Sequence, residues 1–452
     1  MKLILLSGGS GKRLWPLSND ARSKQFLKVL SHPTRNEKES MVQRVWRQLD
    51  EQGLQSSAYI ATSQSQEDMI YNQLGLDVPL IIEPERKDTF PAIALSAVYL
   101  YAVEKVPLHE VVTVMPVDPY TEEVFFQKIH ELEHIILHSN AQLALMGVKP
   151  LHPSEKYGYI IPENKRESVE GTTYHTVQRF SEKPNKAMAE TLMTEGALWN
   201  CGVFSFKLEY FISLLVEKGI PIDYETLVKQ YTHLNKISFD YEVVEKAEHI
   251  VVTPYEGDWK DLGTWNTLTE EMSHHTTGKA VMTENSQNTH IINELDIPVT
   301  VIGCSDMVVA ASADGILVTD KAQSPQIKQV IEHIEQRPMY EESRWGWQKV
   351  LDVTKDQFGN EVLTTRMCIK QGCNISYQRD EKHNEVWTII SGEGKFILDG
   401  EASYVSAGDV LHIPADAAHT ILAKKEIECI AVKYGMRPTQ KDTTYPIIAM
   451  TK

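Results

Sequence analysis

The sequence predicts an α/β protein with a doubly wound sheet over residues 1–270, a β segment and linker over 271–340, and an all-β barrel over 341–452. Three observations carry this. Up to about residue 150, short apolar runs alternate with longer amphipathic segments, the pattern of strand–helix units around a mostly parallel sheet. Around 275–325 the helical period disappears and β-branched runs recur at turn-like spacing. From Trp345 onward, short strand-like runs are separated by Gly turns, as in a small barrel or jelly roll.

Taken in order, Leu3–Leu6 reads as a buried parallel strand. It ends in Gly8, Gly9 and Gly11, which let the backbone turn tightly and approach a ligand. Lys12, Arg13 and Lys24 follow, and backbone N–H groups beside such cations make a phosphate cradle. The two commoner phosphate motifs fit poorly. Arg13 stands where a P-loop has Ser or Thr, and Leu14 where the dinucleotide fingerprint has its third Gly or Ala.

Further strands are expected at Ala58–Ala61, Leu80–Ile82, Val111–Met115 and Leu143–Gly147, with amphipathic helices over Met41–Leu49 and Phe90–Val103. Ligands bind beyond the carboxyl ends of strands in such sheets, where Asp118 follows Val114-Met-Pro-Val. Asp261 falls in the Gly-containing turn Trp259-Lys-Asp-Leu-Gly-Thr-Trp265. Residues 151–270 read less regularly, as a substrate half. Strands follow at Val299–Ile302, Met307–Ala310 and Ile316–Thr319, then a helix over Ile327–Gln336. In the barrel, strands at Val386–Ile390, Lys395–Leu398, Val410–Ile413 and Ile427–Val432 are separated by turns at Ser391–Gly394, Asp399–Gly400 and Ala407–Asp409.

A net charge of −17 argues against nucleic acid and anionic membranes as partners. An anionic substrate must therefore meet locally placed cations. Five cysteines without a C-x-x-C pair suggest reduced thiols. The strand-like start, with Lys12 and Arg13 after the apolar run, is unlike a signal peptide. No apolar stretch is long enough to span a bilayer. The expected location is the cytoplasm.

The string Gly8-Gly-Ser-Gly-Lys-Arg-Leu-Trp-Pro-Leu-Ser18, with Ser23-Lys-Gln-Phe26 behind it, resembles the opening of the sugar-1-phosphate nucleotidylyltransferases. Its Trp15-Pro16-Leu17 form is most similar to the mannose-1-phosphate guanylyltransferases. Glu83–Leu95 resembles the family's nucleotide-side segment. Tyr157-Gly-Tyr-Ile160, Phe180-Ser-Glu-Lys-Pro184, Leu198–Phe204 and Ser238–Lys246 resemble further segments, in order, the first three at the sugar site. The resemblance implies GTP and mannose 1-phosphate as substrates, with pyrophosphate leaving in line from the α-phosphate. It places Gly8, Gly9, Gly11, Lys12, Arg13, Glu83, Arg86 and Thr89 at the nucleotide. Gly158, Glu182, Lys183 and Asn200 fall at the sugar phosphate. The catalytic cations are Arg13 toward the β- and γ-phosphates, Lys24 at the α-phosphate and Lys183 at the sugar phosphate. Asp118 and Asp261 would hold Mg2+, which a nucleoside triphosphate requires.

Taken singly, each of these aspartates is more often a turn or cap residue, and each lysine a solvated surface residue. The departures are Pro119 for His, Ser181 for an apolar residue and Cys201 for Ser. None removes a charged group that the chemistry needs.

The last hundred residues resemble the cupin domain, of mannose-6-phosphate isomerase type II, that follows the transferase in bifunctional enzymes. Arg344-Trp-Gly-Trp347, Ser376-Tyr-Gln378, Glu385, Trp387, Gly392, Pro414 and His419 carry this. That family holds a divalent metal with a string of the form Q-x-H-x-H-R-x-E-H-W. Here it reads Gln378-Arg-Asp-Glu-Lys-His-Asn-Glu-Val-Trp387, so Asp380 and Lys382 stand at the two histidine positions. A lysine ammonium is a donor only and is repelled by a cation. Glu385 and His419 remain. His383 and His412 are the available substitutes, the first shifted by one position onto the opposite side of a strand. The expectation is a degraded metal site in a structural or assembly barrel, against a rearranged site with a second divalent metal. A homodimer stays open. So do another nucleotide and sugar pair, live isomerisation of mannose 6-phosphate, and a regulatory binder without turnover.

Overall fold

The computed structural model describes residues 1–9, 12–19, 22–334 and 336–435, with the backbone of 443–444. Gly11 lies outside the described residues. The chain divides into two compact units, Met1–Gly11 with Ser23–Ser273 and Lys12–Arg22 with His274–Lys452.

The first unit is built on a nine-stranded sheet. Four strands run parallel side by side: Leu80–Glu83, Ala58–Ser63, Lys2–Ser7 and Val111–Pro116. Their side chains alternate between two cores. Leu3 and Leu5 enter one cluster and Ile4 the other, as a sheet covered on both faces requires. Beyond them the sheet is mixed. Leu198–Lys207 pairs antiparallel with both Val111–Pro116 and Leu143–Val148, and Ile250–Tyr255 lies parallel to the latter. Thr172–Ser181 and Tyr159–Val169 close the edge antiparallel. The tight turn at Glu170 and Gly171, both with positive φ, makes that edge a hairpin. The parallel expectation thus holds for the amino-terminal strands and gives way in the substrate half.

Helix Met41–Glu51 starts at a capping box between Ser40 and Gln43. Helix Thr89–Ala102 departs from the amphipathic expectation, since ten of its 14 residues are buried. It packs on the sheet and also against helices Leu208–Glu217 and Tyr224–Gln230, so it has little solvent face.

In the second unit, Thr276–Thr277, His290–Asn293 and Met307–Ser312 stack in parallel. Ala280–Met282 pairs in parallel with Val299–Val301, and Gly315–Asp320 closes antiparallel. Residues 12–22 belong with this stack. The Ser312 hydroxyl donates to the Pro16 carbonyl at 2.7 Å, and Asn19 Nδ2 donates to Asp314 Oδ2 at 2.6 Å. Arg22 pairs with Glu294 at 2.9 Å. The expected linker helix is shorter than its pattern, Ile327–Ile331.

Strand Val410–Ile413 has the expected bounds, and the other barrel strands are longer than expected. Val386–Ile390 and Lys395–Leu398 are parts of one strand, His383–Leu398, with register shifts between Ile389 and Gly394. Ser391–Gly394 is therefore a bulged stretch and not a turn. A side chain at Gly392, φ 87, would collide with the Glu426 carbonyl, so the glycine serves a close strand approach. The expected Asp399–Gly400 turn is present, and it joins His383–Leu398 to a strand not read from the sequence, Glu401–Ser406. Trp387, Ile389, Phe396, Ile421 and Ile427 fill the interior. Among the described residues, no helix is long and apolar enough to cross a membrane.

Candidate active site

Strand Lys2–Ser7 delivers Gly8 and Gly9 to the wall of a cavity of about 430 Å3 within the first unit. Neither glycine sits in the left-handed region, and a side chain at Gly9 would meet open space. Their smallness thus leaves room for a ligand without serving a special turn. A buried polar cluster pins this loop from beneath. The Ser23 hydroxyl donates to the Gly9 carbonyl at 2.7 Å. The Gln66 amide lies 2.7 Å from that hydroxyl and 3.1 Å from the Ser7 hydroxyl. Gln25 Nε2 donates to Ser7 Oγ at 3.1 Å. Each of these polar groups is thereby satisfied inside the protein. Ser23 and Gln25 of the opening motif are supports, and Gln66 carries no sequence signal of its own.

Lys24, the next residue of that motif, meets both candidate metal ligands. Its Nζ lies 2.9 Å from Asp118 Oδ2 and 2.7 Å from Asp261 Oδ1. The residues come together because Trp259–Asp261 pairs antiparallel with Pro119–Thr121, placing Asp261 opposite Pro119. Gly263 leaves space for the Asp261 carboxylate, which a Cβ there would approach to 3.0 Å. Burial opposes the charge on Lys24, but Asp118 and Asp261 outweigh it and raise its pKa. Two hard oxygen ligands thus face one point that the Lys24 ammonium fills, and they could hold Mg2+ only once that ammonium turns away.

Glu83, Arg86 and Thr89 line the cavity, as does Asp88. Asp88 adopts φ 73 and ψ −175 while its carboxylate accepts from the Thr89 N–H, a backbone region costly for any residue but glycine. The Thr89 hydroxyl accepts from the Phe239 N–H at 2.8 Å. Glu83 is 4% exposed and accepts from the Tyr231 hydroxyl at 2.9 Å. Burial pushes its pKa from 4.5 up to about 7, partly offset by that hydrogen bond and by Arg86. A carboxyl raised in the fold stabilises it fully below 4.5, and this is lost as pH rises through about 7. The difference is worth about 3 kcal/mol. Glu83→Gln is expected to flatten the fall in stability across this window, read from denaturant midpoints below and above it. An unchanged slope would show that Glu83 does not titrate there.

Gly158, Glu182 and Asn200 also line the cavity. Gly158 is where Glu182 can lie flat, since a Cβ would collide with Glu182 Oε2 and reach Phe180 Cζ at 2.7 Å. Lys183 Nζ pairs with Glu182 Oε1 at 2.6 Å, while the buried Oε2 has no protein partner. Asn200 Nδ2 donates to Asp240 Oδ1 at 2.6 Å. Burial and the neighbouring Glu182 charge push Asp240 up to about 7, against the pull of Lys183 and Asn200. Cys201 donates its thiol to the Met146 carbonyl, and burial pushes its pKa up to about 12. It stands as a packing residue.

Of the sequence-predicted residues, Gly8, Gly9, Glu83, Arg86, Thr89, Asp118, Gly158, Glu182 and Asn200 line one cavity. Lys24 and Asp261 join it through Asp118, and Lys183, half exposed, through Glu182. Lys12 and Arg13 form the short turn Lys12–Leu14, which belongs to the second unit, with Arg13 exposed. Asp240, Asp88, Lys87 and Lys156 also line the cavity and were not singled out from the sequence. Asp240 could have been found inside Ser238–Lys246. Tyr231 lies in a stretch with no motif.

In the barrel, Glu385 and His419 are both buried. His383 corrects its expectation. It is buried and two residues from Glu385 on the strand His383–Leu398, so the two share the inner face. Its Nδ1 is engaged by Asp380 at 2.8 Å. His412 is exposed and offers no substitute ligand.

Residues 2–278 match the family model described as nucleotidyl transferase, and residues 365–432 match the cupin domain. Mannose-1-phosphate guanylyltransferase 2 of Escherichia coli O157:H7 is 28% identical, over 92% of this chain and 91% of its own. The alginate biosynthesis protein AlgA of Pseudomonas aeruginosa is 25% identical, over 96% and 93%. A crystal structure from Thermus thermophilus, described as mannose-1-phosphate geranyltransferase, superposes with a TM-score of 0.62. It is 26% identical and covers 74% of this chain and 99% of that one. The sheet, the cavity and these matches agree: the chain belongs to the nucleotidyl transferase family, with a cupin domain at its carboxyl end.

Proposed function

We propose that this chain is a mannose-1-phosphate guanylyltransferase, forming GDP-mannose and pyrophosphate from GTP and mannose 1-phosphate with Mg2+ bound. The observation that carries the reading is the Lys24–Asp118–Asp261 trio, set at a cavity that also presents Glu182, Asn200 and Asp240. A protein that only bound a sugar nucleotide would have no need for such a trio. The guanine base and the mannose rest on the names of relatives 25–28% identical over nearly the whole chain.

An oxygen of the sugar phosphate forms the new bond to the α-phosphorus as the α–β bridging bond breaks and pyrophosphate leaves with the electron pair. The nucleophile is already anionic, so the chain needs no strong general base. Its tasks are to align two anions and to offset their repulsion. Mg2+ held by Asp118 and Asp261 would supply charge neutralisation on the phosphates. Lys24 gives up its two carboxylates as the nucleotide enters and turns its ammonium to the α-phosphate. Gly8 and Gly9 let the phosphates approach the backbone. The resemblance assigns Arg13 to the β- and γ-phosphates, and Lys12, Glu83, Arg86 and Thr89 to the nucleotide. Lys183 holds the sugar phosphate. Glu182 Oε2 and Asn200 accept and donate to sugar hydroxyls, giving the unpartnered oxygen its hydrogen bond.

The test is pyrophosphate release from a matrix of nucleoside triphosphates against mannose, glucose and fucose 1-phosphates. Release is expected with GTP and mannose 1-phosphate. Release from another pair would keep the mechanism and change the substrates. No release from any pair, in protein that still binds nucleotide, would overturn the reading.

A further inference from the structure

The cupin's ligand positions converge on a lysine. Strands His383–Leu398 and Ala418–Gly435 pair antiparallel, and the register sets Glu385 directly opposite Lys433. Glu385 is 1% exposed. Lys433 Nζ lies 2.7 Å from Glu385 Oε1, an ion pair without hydrogen-bond alignment, and 4.0 Å from Asp380 Oδ2. The other Glu385 oxygen accepts from Trp387 Nε1 at 2.8 Å.

The remaining candidates are also turned to partners within the barrel. Asp380, at a position where the resemblance implies histidine, accepts from the Lys382 and His383 N–H groups and holds His383 Nδ1. Buried His419 has Nδ1 at 3.2 Å from the Ala417 carbonyl and Nε2 at 3.4 Å from Gln378 Nε2. If the Nδ1 carries the proton, Nε2 is left as the acceptor for the Gln378 amide. Carboxylate and imidazole are ordinary metal ligands, and what does not fit a transition metal here is the Lys433 ammonium 2.7 Å from Glu385. A ligated metal would have to lie about 2 Å from a Glu385 oxygen, close against an ammonium that repels it.

We propose that Lys433 is a tethered cation standing in the place of the barrel's metal: Glu385 is its counter-ion, and the barrel holds no transition metal and performs no metal-dependent isomerisation of sugar phosphates. The lysine then has a structural task as well. It neutralises a carboxylate that the fold buries, and removing one partner of such a pair leaves an uncompensated buried charge.

The test uses the full chain, purified without chelator and without a metal-binding tag. Metal content by mass spectrometry is expected to be far below stoichiometric. Stoichiometric Zn, Mn or Fe that is lost in His419→Ala would overturn the proposal. Hydrogen exchange supplies the second measurement, read on peptides within 383–398 and 418–435. Lys433→Met is expected to speed exchange there about a hundredfold, as an unpaired buried charge should. Adding Glu385→Gln to Lys433→Met is expected to restore protection, since the pair is then neutral. Protection unchanged in Lys433→Met, or unrestored in the double variant, would show that Lys433 is not the counter-ion and overturn the proposal.

Discussion

Asp118→Ala is expected to lower kcat/KM for pyrophosphate release by about a thousandfold or more, the scale of losing a charge stabiliser aimed at a phosphoryl transition state. The effect should fall on chemistry and not on folding. Asp118 sits at the end of a strand whose apolar residues are buried independently of it. Lys24, whose ammonium lies 2.7 Å from Asp261, should still have that partner when Asp118 is gone. Nucleotide binding measured without Mg2+ should therefore survive while the gain from added Mg2+ disappears. A variant that retains wild-type turnover would remove Asp118 from the metal assignment and the trio from the mechanism.

Lys24→Met is the second variant with a large expected effect, and it acts in two ways. Turnover should fall about a hundred- to a thousandfold, because the cation assigned to the α-phosphate is lost. The protein without nucleotide should also become sensitive to Mg2+. In the wild type, Asp118 and Asp261 share one ammonium, which a free divalent ion must displace. With methionine there, two carboxylates face a point with no counter-charge, and like charges held together destabilise each other. The expected thermal melt is lower than wild type in chelator and rises with Mg2+, while the wild-type melt hardly moves. A variant that melts like wild type and ignores Mg2+ would mean that the two carboxylates do not converge on a shared cation.

Much of the first unit was legible because its signals are local. Leu3–Leu6 ending in glycines, Val111–Met115 ending near Asp118, and the amphipathic run Met41–Leu49 each need only a few neighbouring residues. Helix Thr89–Ala102 read less well, because burial on most faces depends on helices far along the chain. Gly392 was misread as a turn because the same freedom of φ serves a bulge, and only the partner strand decides which.

From the chain alone came the glycine-rich loop and the order of a doubly wound sheet and a barrel. These follow from residue type and short periodicity, which the chain carries wherever it folds. Tertiary structure decided which charges meet. Lys24 and Asp261 are 237 residues apart, and a short antiparallel ribbon sets Asp261 opposite Pro119, next to Asp118. Strand register alone sets Lys433 opposite Glu385, and a slip of one residue would turn its ammonium to the other face. Register and sheet order are set by the packing of whole faces, and no local stretch of sequence encodes them.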